Sequence, residues 1–455
     1  MSNTPLCDAL RAFAATDPLR MHMPGHKGTG LPLPELSAAA ALDFTELPPT
    51  GNLFEADGPI RAAEALWAEA FRMDACLFLT GGSTQGVLSA LTLTCRPGDA
   101  LLLDRGCHRS AFNALALLDL TPHYLYRPWL EEEAIAGPIS PQDVEKELEK
   151  SPEIKTVCIT SPTYYGVQSD IPAIAAVCHA HGAKLVVDSA HGAHLPFLGD
   201  FSHSAADLLV VSAHKTLPAP GQSALLLANG FPLEELCRAG SLYGSSSPSY
   251  PMMAALDAAR DWMETAGVAR LKETADAVHA LRTTFPALRP RAGLVLDPTR
   301  LVVSCNGGFG VKAALEDLGV YPEMADQRHV VFICTASDTA ASFRRLEEAL
   351  HTVLPKEAPL SPLPLPAAPR PEQACSPRAA RFAAVETLPV GRAEGRVAAA
   401  QVAPYPPGVP VIAPGERVTK KTIAYLKQIG YNMEKGMEVV CLSTCVVSFS
   451  HRVSL

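Results

Sequence analysis

KLVVDSAHGAHLPFLGDFSHSAADLLVVSAHKTLPAPGQSALLLA (184–228) is the stretch that decides the fold. It holds three apolar runs, KLVVD (184–188), DLLVVS (207–212) and SALLLA (223–228). The runs are continuous rather than alternating, the pattern of strands covered on both faces. The first ends on Asp188, and the second leads into Ser212, His214 and Lys215 before the stiff turn Pro218-Ala219-Pro220-Gly221. Strand carboxyl ends are where open parallel sheets bind their ligands, so polar residues at those ends are candidates for chemistry.

Working outward, CLFLT (76–80), ALLLD (100–104) and KTVCIT (155–160) have the same character. DVEKELEK (143–150) and IPAIAAVCHAHG (171–182) between the runs have helical spacing. Strand and helix in alternation predict an α/β domain with a mostly parallel sheet wrapped by helices. Farther on, PMMAALDAARDWMETAG (251–267) reads as a helix closed by Gly267, and VARLKETADAVHALRTTF (268–285) as another. Strand-like LVLD, RLVVSC and VVFICT then alternate with VKAALEDLG and ASFRRLEEALHTVL, a smaller α/β layer. PKEAPLSPLPLPAAPRPEQACSPR (355–378), dense in Pro and Ala, reads as a linker. The expected division is an amino-terminal arm (1–30), a large domain (31–267), a small α/β domain (268–354), the linker, and a carboxyl-terminal domain (379–455).

Composition narrows the class. At 455 residues the chain exceeds one ordinary domain of roughly 100–200. Charged residues make up 19%, against about 25% in a typical soluble domain. That points to a core-rich globular protein. A net charge of −9 argues against a nucleic-acid partner. No apolar run approaches the ~20 residues of a membrane span. The 12 cysteines stand singly, without C-x-x-C or zinc spacing, so no metal is expected and a reduced cytoplasm is the simplest location. Cys441, Cys445 and His451 near the terminus also lack a zinc pattern.

Four features carry chemistry. LTGGSTQG (79–86) takes a strand into a Gly/Ser/Thr turn that opens a helix, so Gly82, Ser83 and Thr84 can offer N–H and hydroxyl groups to a phosphate. The turn has no P-loop lysine, and it could equally be a capped helix start. Asp188 can hold a cationic ring nitrogen protonated, or it can be a hydrogen-bonded strand-end residue. Lys215 follows a buried-looking strand, and a desolvated lysine can form Schiff bases. His214 beside it can transfer protons near neutral pH. His108, after LLLD (101–104), can stack on a flat ring or serve as a structural hydrogen-bonder. Together they supply a phosphate cup, a stacking ring, a carboxylate for a pyridinium nitrogen and a Schiff-base lysine. These are the protein groups that pyridoxal phosphate requires.

With these residues assembled, the chain resembles the bacterial ornithine/lysine/arginine decarboxylase family of fold-type I pyridoxal-phosphate enzymes. The likeness runs from about Thr4 to Gly430 through MPGHKGTG (23–30), DFTELPPTGNLFEADGPI (43–60), LTGGSTQG (79–86) and TSPTYYGV (160–167). It continues in VVDSAHGAHLPF (186–197), VVSAHKTLPAPGQSALL (210–226), SSSPSYPMMAALDAAR (245–260) and YPPGVPVIAPGE (405–416). The resemblance implies an internal aldimine on Lys215, Asp188 on the pyridine nitrogen, and His108 and Ala190 on the two ring faces. It places Ser83, Thr84, Ser212 and His214 at the phosphate end. Ser246 would reach the neighbouring subunit's phosphate, which implies a homodimer with shared active sites.

The expected reaction is α-decarboxylation of a basic L-amino acid, with Lys215 or His214 returning a proton to Cα. The alternatives are an aminotransferase or β-eliminating lyase on the same fold, or a catalytically silent regulatory relative. The substrate's distal cation needs an acidic partner. Glu416 and Glu55 are candidates, although Glu416 could equally fix its turn and an exposed Glu is commonly just solvated. Three departures stand out. MPGHKGTG begins at residue 23, so a short form without the family's amino-terminal receiver-like domain is expected. Phe54 and Gly106 stand where His and Asn are common. The SAHGAH segment (189–194) looks most like short biosynthetic arginine- or lysine-type enzymes.

Overall fold

The computed structural model describes residues 3–354, 360, 368–404 and 409–442. Half of the linker reading (355–359 and 361–367 of 355–378), residues 405–408 of the YPPG segment, and Cys445 and His451 lie outside the described residues.

The apolar runs form one seven-stranded sheet. Its strands are β1 (Ala75–Leu79), β2 (Ala100–Asp104), β3 (Thr121–Leu125), β4 (Thr156–Thr160), β5 (Lys184–Asp188), β6 (Leu208–Val211) and β7 (Ala224–Ala228). The order across the sheet is β1-β7-β6-β5-β4-β2-β3. Pairing is parallel from β6 through β5, β4 and β2 to β3, and only β7 runs against its neighbours. Every residue of β1, β6 and β7 is buried, because both faces of the sheet are covered. The core extends to Leu6 and Leu10 of helix α1 (Pro5–Ala15). Asp257 accepts from the Leu6 and Cys7 N–H groups (3.0 and 3.1 Å), which ties the start of the chain to a helix 250 residues on. Buried cysteines behave as small hydrophobes, Cys158 in β4 at 1% exposure among them.

The sequence reading missed β3. TPHYL is a one-sided edge strand that pairs only with β2 and begins exposed at Thr121, so it lacks the continuous apolar run of its neighbours.

Gly267 is a correction. The reading of 251–267 as a helix closed by Gly267 fails, because the helix continues. Helix Tyr250–Trp262 passes through one wide π turn, Met263–Gly267, into helix Val268–Thr284. Gly267 has helical angles (φ −67, ψ −36). A Cβ there would sit 2.7 Å from Met263 Sδ and 3.0 Å from the Trp262 ring, so the glycine makes room for packing instead of ending the helix.

The second half of this long helix brings Val278 and Leu281 into a separate core. That core backs a three-stranded antiparallel sheet of β8 (Arg300–Ser304), β9 (Met324–Ala325) and β10 (His329–Ile333), with β10 in the middle. A third core includes Val390, Ile412, Leu426 and Val439. It lies beside the antiparallel pair β11 (Val385–Pro389) and β12 (Gly436–Val440). Among the described residues no helix is long and apolar enough to cross a membrane. None of their His, Cys, Asp and Glu groupings could hold a metal.

Candidate active site

The site forms where β4, β5 and β6 end. Asp188 closes β5, in register with Thr160 of β4 and Val210 of β6. It is 4% exposed, and its Oδ1 accepts the Ala190 N–H at 3.1 Å. Burial pushes the Asp188 carboxyl up, while His108 and Lys215 pull it back. A cation placed against it would restore its full charge.

Beyond β6, Ser212 opens the short helix Ala213–Thr216, which carries His214 and Lys215. Lys215 Nζ lies 3.3 Å from His191 Nε2. Burial lowers the affinity of this amine for its proton and Arg300 lowers it further, against Asp188 and Glu323. His214 bonds elsewhere, with Nδ1 donating to the Ser223 carbonyl at 3.0 Å.

The Gly/Ser/Thr turn opens the helix Gly82–Thr94, and no side chain caps its first turn. Its leading N–H groups are therefore open to an anion. Gly82 takes φ +73, and Gly86 lets the helix close onto the sheet, since a Cβ there would stand 2.6 Å from Val210 Cγ1. Ser83 is half-buried and Thr84 exposed. His108 caps the helix Arg109–Leu117, its Nδ1 accepting from the Ser110 N–H (3.3 Å) and meeting Ser110 Oγ at 2.9 Å. The bond orients the exposed imidazole by its edge. Dehydration lowers the His108 pKa, with Asp188 opposing and Lys215 and Arg109 adding to the drop.

Four residues that the sequence reading did not assign to the site lie beside it. His191 is buried, and its ring centroid is 4.6 Å from that of Tyr164. Tyr164 donates to the carboxylate of Glu323, an exposed residue just before β9. Arg300, the first residue of β8, reaches His191 Nδ1 at 3.4 Å. His191 and Tyr164 stand inside quoted motifs. Arg300 had one visible signal, a charge opening an otherwise buried apolar strand.

The remaining sequence candidates lie as follows. Glu416 is fully buried and gripped by Arg105, whose Nη1 and Nη2 donate to its two oxygens at 2.6 and 2.8 Å. Glu416 also accepts the Ala413 N–H at 2.8 Å, and it anchors the carboxyl-terminal unit to the loop after β2. Burial raises its pKa, against the Arg105 charge. Glu55 and Ser246 are exposed, and Ala190 is buried beside Asp188.

These groups fit pyridoxal phosphate. Thr160, Ser189, Ser212 and Thr216 each carry a buried hydroxyl without a hydrogen-bond partner, all at or just past the ends of β4, β5 and β6. An uncapped helix start faces a phosphate's needs, Asp188 a pyridinium's, and Lys215 an aldehyde's. Comparison with known proteins agrees. The profile described as "Orn/Lys/Arg decarboxylase, major domain" matches residues 4–302, and "Orn/Lys/Arg decarboxylase, C-terminal domain" matches 365–435. The chain is 29% identical to arginine decarboxylase of Bacillus subtilis (strain 168), covering 96% of this chain and 95% of the relative. It is 29% identical to the uncharacterized protein YaaO of the same organism, covering 94% of each. The fold matches the crystal structure of the Francisella novicida lysine decarboxylase LdcF with a TM-score of 0.80 at 20% identity, over 96% of this chain and 81% of that one. The chain belongs to the Orn/Lys/Arg decarboxylase family of pyridoxal-phosphate-dependent enzymes.

Proposed function

We propose that this enzyme removes the α-carboxylate of arginine, lysine or ornithine as carbon dioxide and releases agmatine, cadaverine or putrescine, with Lys215 holding the cofactor. The observation that carries the reading is the convergence of His108 past β2, Asp188 and His191 at and past the end of β5, and Lys215 past β6, at one end of the parallel sheet. Bound pyridoxal phosphate supplies the electron sink that accepts the pair left by the departing carboxylate.

The chain's own groups do the rest. Asp188 keeps a proton on the ring nitrogen from its buried position. His108 and Ala190 would take the two ring faces, and Gly82, Ser83, Thr84, Ser212 and His214 would hold the phosphate end. Lys215 Nζ returns a proton to Cα. The carboxylate best placed for the substrate's distal cation is Glu323, which is exposed, held by Tyr164, and close enough to act on Lys215. Glu416 already has both oxygens engaged by Arg105.

A homodimer with shared sites completes the proposal. Ser246 stands on an exposed segment, free to approach a second copy's phosphate. Leu19, Met21 and Met23 are 87%, 82% and 62% exposed, an apolar stretch suited to a partner subunit. The deciding test is Lys215→Ala assayed with each of the three amino acids for carbon dioxide and amine. Loss of both activity and visible cofactor absorbance is expected, and retention of both would overturn the reading.

A further inference from the structure

Arg300 is 1% exposed, and its guanidinium lies between two groups. Nε is 3.9 Å from Asp297 Oδ2, and Nη2 is 3.4 Å from His191 Nδ1. Across the same imidazole, His191 Nε2 is 3.3 Å from Lys215 Nζ. The approach is built in. Gly166 has φ +81, and a Cβ there would sit 2.8 Å from Arg300 Cβ.

A guanidinium can only donate hydrogen bonds, so His191 Nδ1 must accept. A neutral imidazole accepting at Nδ1 carries its proton on Nε2. An Nε2–H that faces an amine is satisfied only by the amine's lone pair, which an ammonium does not have. We propose that Arg300 is a positioning residue for the cofactor lysine: it locks His191 into the tautomer that donates to Lys215 Nζ, and so holds that amine neutral and aimed. The proposal rests on Lys215 being the residue that takes the cofactor. The neutral amine is the form that condenses with an aldehyde. Its lone pair forms the new C–N bond, and its two protons leave with the aldehyde oxygen as water.

The surrounding charges set the balance. Lys215 faces Asp188 from β5, Glu323 from before β9 and Arg300 from β8. The two carboxylates favour the ammonium, while Arg300 and burial oppose it. His191 faces Lys215, Arg300, His108 and His194, with Tyr164 against its ring. Burial, and with it the fixed charge of Arg300, drive His191 well below the ordinary histidine range, so its ring stays neutral and the tautomer is the only variable. Asp297 Oδ1 is taken by His194 and Thr299, leaving Oδ2 toward Arg300.

The test is the rate at which cofactor-free enzyme develops visible absorbance when pyridoxal phosphate is added, followed from about pH 6 to 10 across the lysine range. Arg300→Gln, neutral and able to accept, should move the midpoint about one pH unit upward and slow the reaction roughly tenfold at pH 7. Arg300→Lys, again a donor-only cation, should stay within about threefold of the parent. His191→Phe should shift the midpoint as Arg300→Gln does, and adding Arg300→Gln to it should add only a small part of that shift, the share its charge exerts on the amine directly. An unchanged midpoint in Arg300→Gln overturns the inference. So does a full further shift in the His191→Phe background, which would mean that the charge acts directly. If Arg300→Gln does not fold, His191→Phe tests the relay alone, and an unchanged midpoint there is equally fatal. A parent enzyme that develops no absorbance at any pH overturns the assignment of Lys215 and the inference with it.

Discussion

The clamp between Arg105 and Glu416 gives the most demanding stability prediction. Arg105 follows β2 and lies over the Tyr124 ring with its guanidinium carbon 4.6 Å from the centroid. It also donates to the Val411 carbonyl at 3.2 Å. Arg105→Met leaves the Glu416 carboxylate buried with the Ala413 N–H as its remaining hydrogen-bond donor. Breaking a buried pair from one side costs about 3–5 kcal/mol, whereas neutralising both partners is nearly neutral. Arg105→Met paired with Glu416→Gln is the matched double variant. The glutamine oxygen keeps the Ala413 bond, and its amide can donate to the freed Val411 carbonyl.

Hydrogen exchange is the suitable assay, because a chain with several cores need not unfold in two states. The amides of Ala398, Gly415 and Val418, bonded at 2.8–2.9 Å inside the carboxyl-terminal unit, report its opening. In either single variant they should exchange on the order of a hundred- to several thousandfold faster. The double variant should recover most of that loss. Single-variant effects that add in the double would refute the clamp. A Glu416→Gln variant with parental exchange and a raised KM for the amino acid would return Glu416 to the substrate.

Three further outcomes are expected. Glu64 is fully buried, accepts the Phe78 N–H at 2.8 Å, and is raised by burial to about 8. The fold therefore holds a proton that the unfolded chain has lost. The stability this contributes is whole below the unfolded value of 4.5 and fades as pH rises through about 8, worth at most ~5 kcal/mol. Glu64→Gln should flatten denaturation midpoints measured across that window, and a parent whose midpoint rises with pH there contradicts the assignment. Asp188→Asn should weaken pyridoxal-phosphate retention on dialysis and turnover by about ten- to a hundredfold, the worth of a charged hydrogen bond, and parental values would remove the carboxylate from the site. Gly86→Ala should cost about 1–3 kcal/mol by overpacking against Val210 and should also loosen the cofactor, with thermal unfolding and cofactor titration as the measures.

Much of the large sheet was legible because its chemistry is local. β5, β6 and β7 bury both faces, so their apolar runs are unbroken, and the polar residues that end them stand out by contrast. Asp188 and Lys215 stood out as candidates on that basis, and only their combination with His108 and the 79–86 turn pointed to a cofactor. β3 could not, since an edge strand opening Thr-Pro-His carries no such run. Gly267 misled because a glycine that ends a helix and one that admits a neighbouring side chain look identical in sequence. The contact of Arg300 with His191 joins a strand of one sheet to the turn after β5 of another, 109 residues away, a distance no periodicity reports. Glu416 stood open between a substrate partner and a brace for its turn, and the ion pair that favours the brace lies with Arg105, 311 residues earlier.

The unbroken helix from Tyr250 through Thr284 also acts as a gear. It fixes the rotational phase between the sheet that presents Lys215 and the one that presents Arg300. Each residue of an α-helix turns the chain about 100° and advances it about 1.5 Å. Deleting one residue from the α-helical stretch Val268–Thr284, just past the wide turn, would therefore swing everything downstream out of phase. Arg300 and Glu323 would be carried away from the lysine, and the enzyme would lose its chemistry to a change that touches none of the groups performing it.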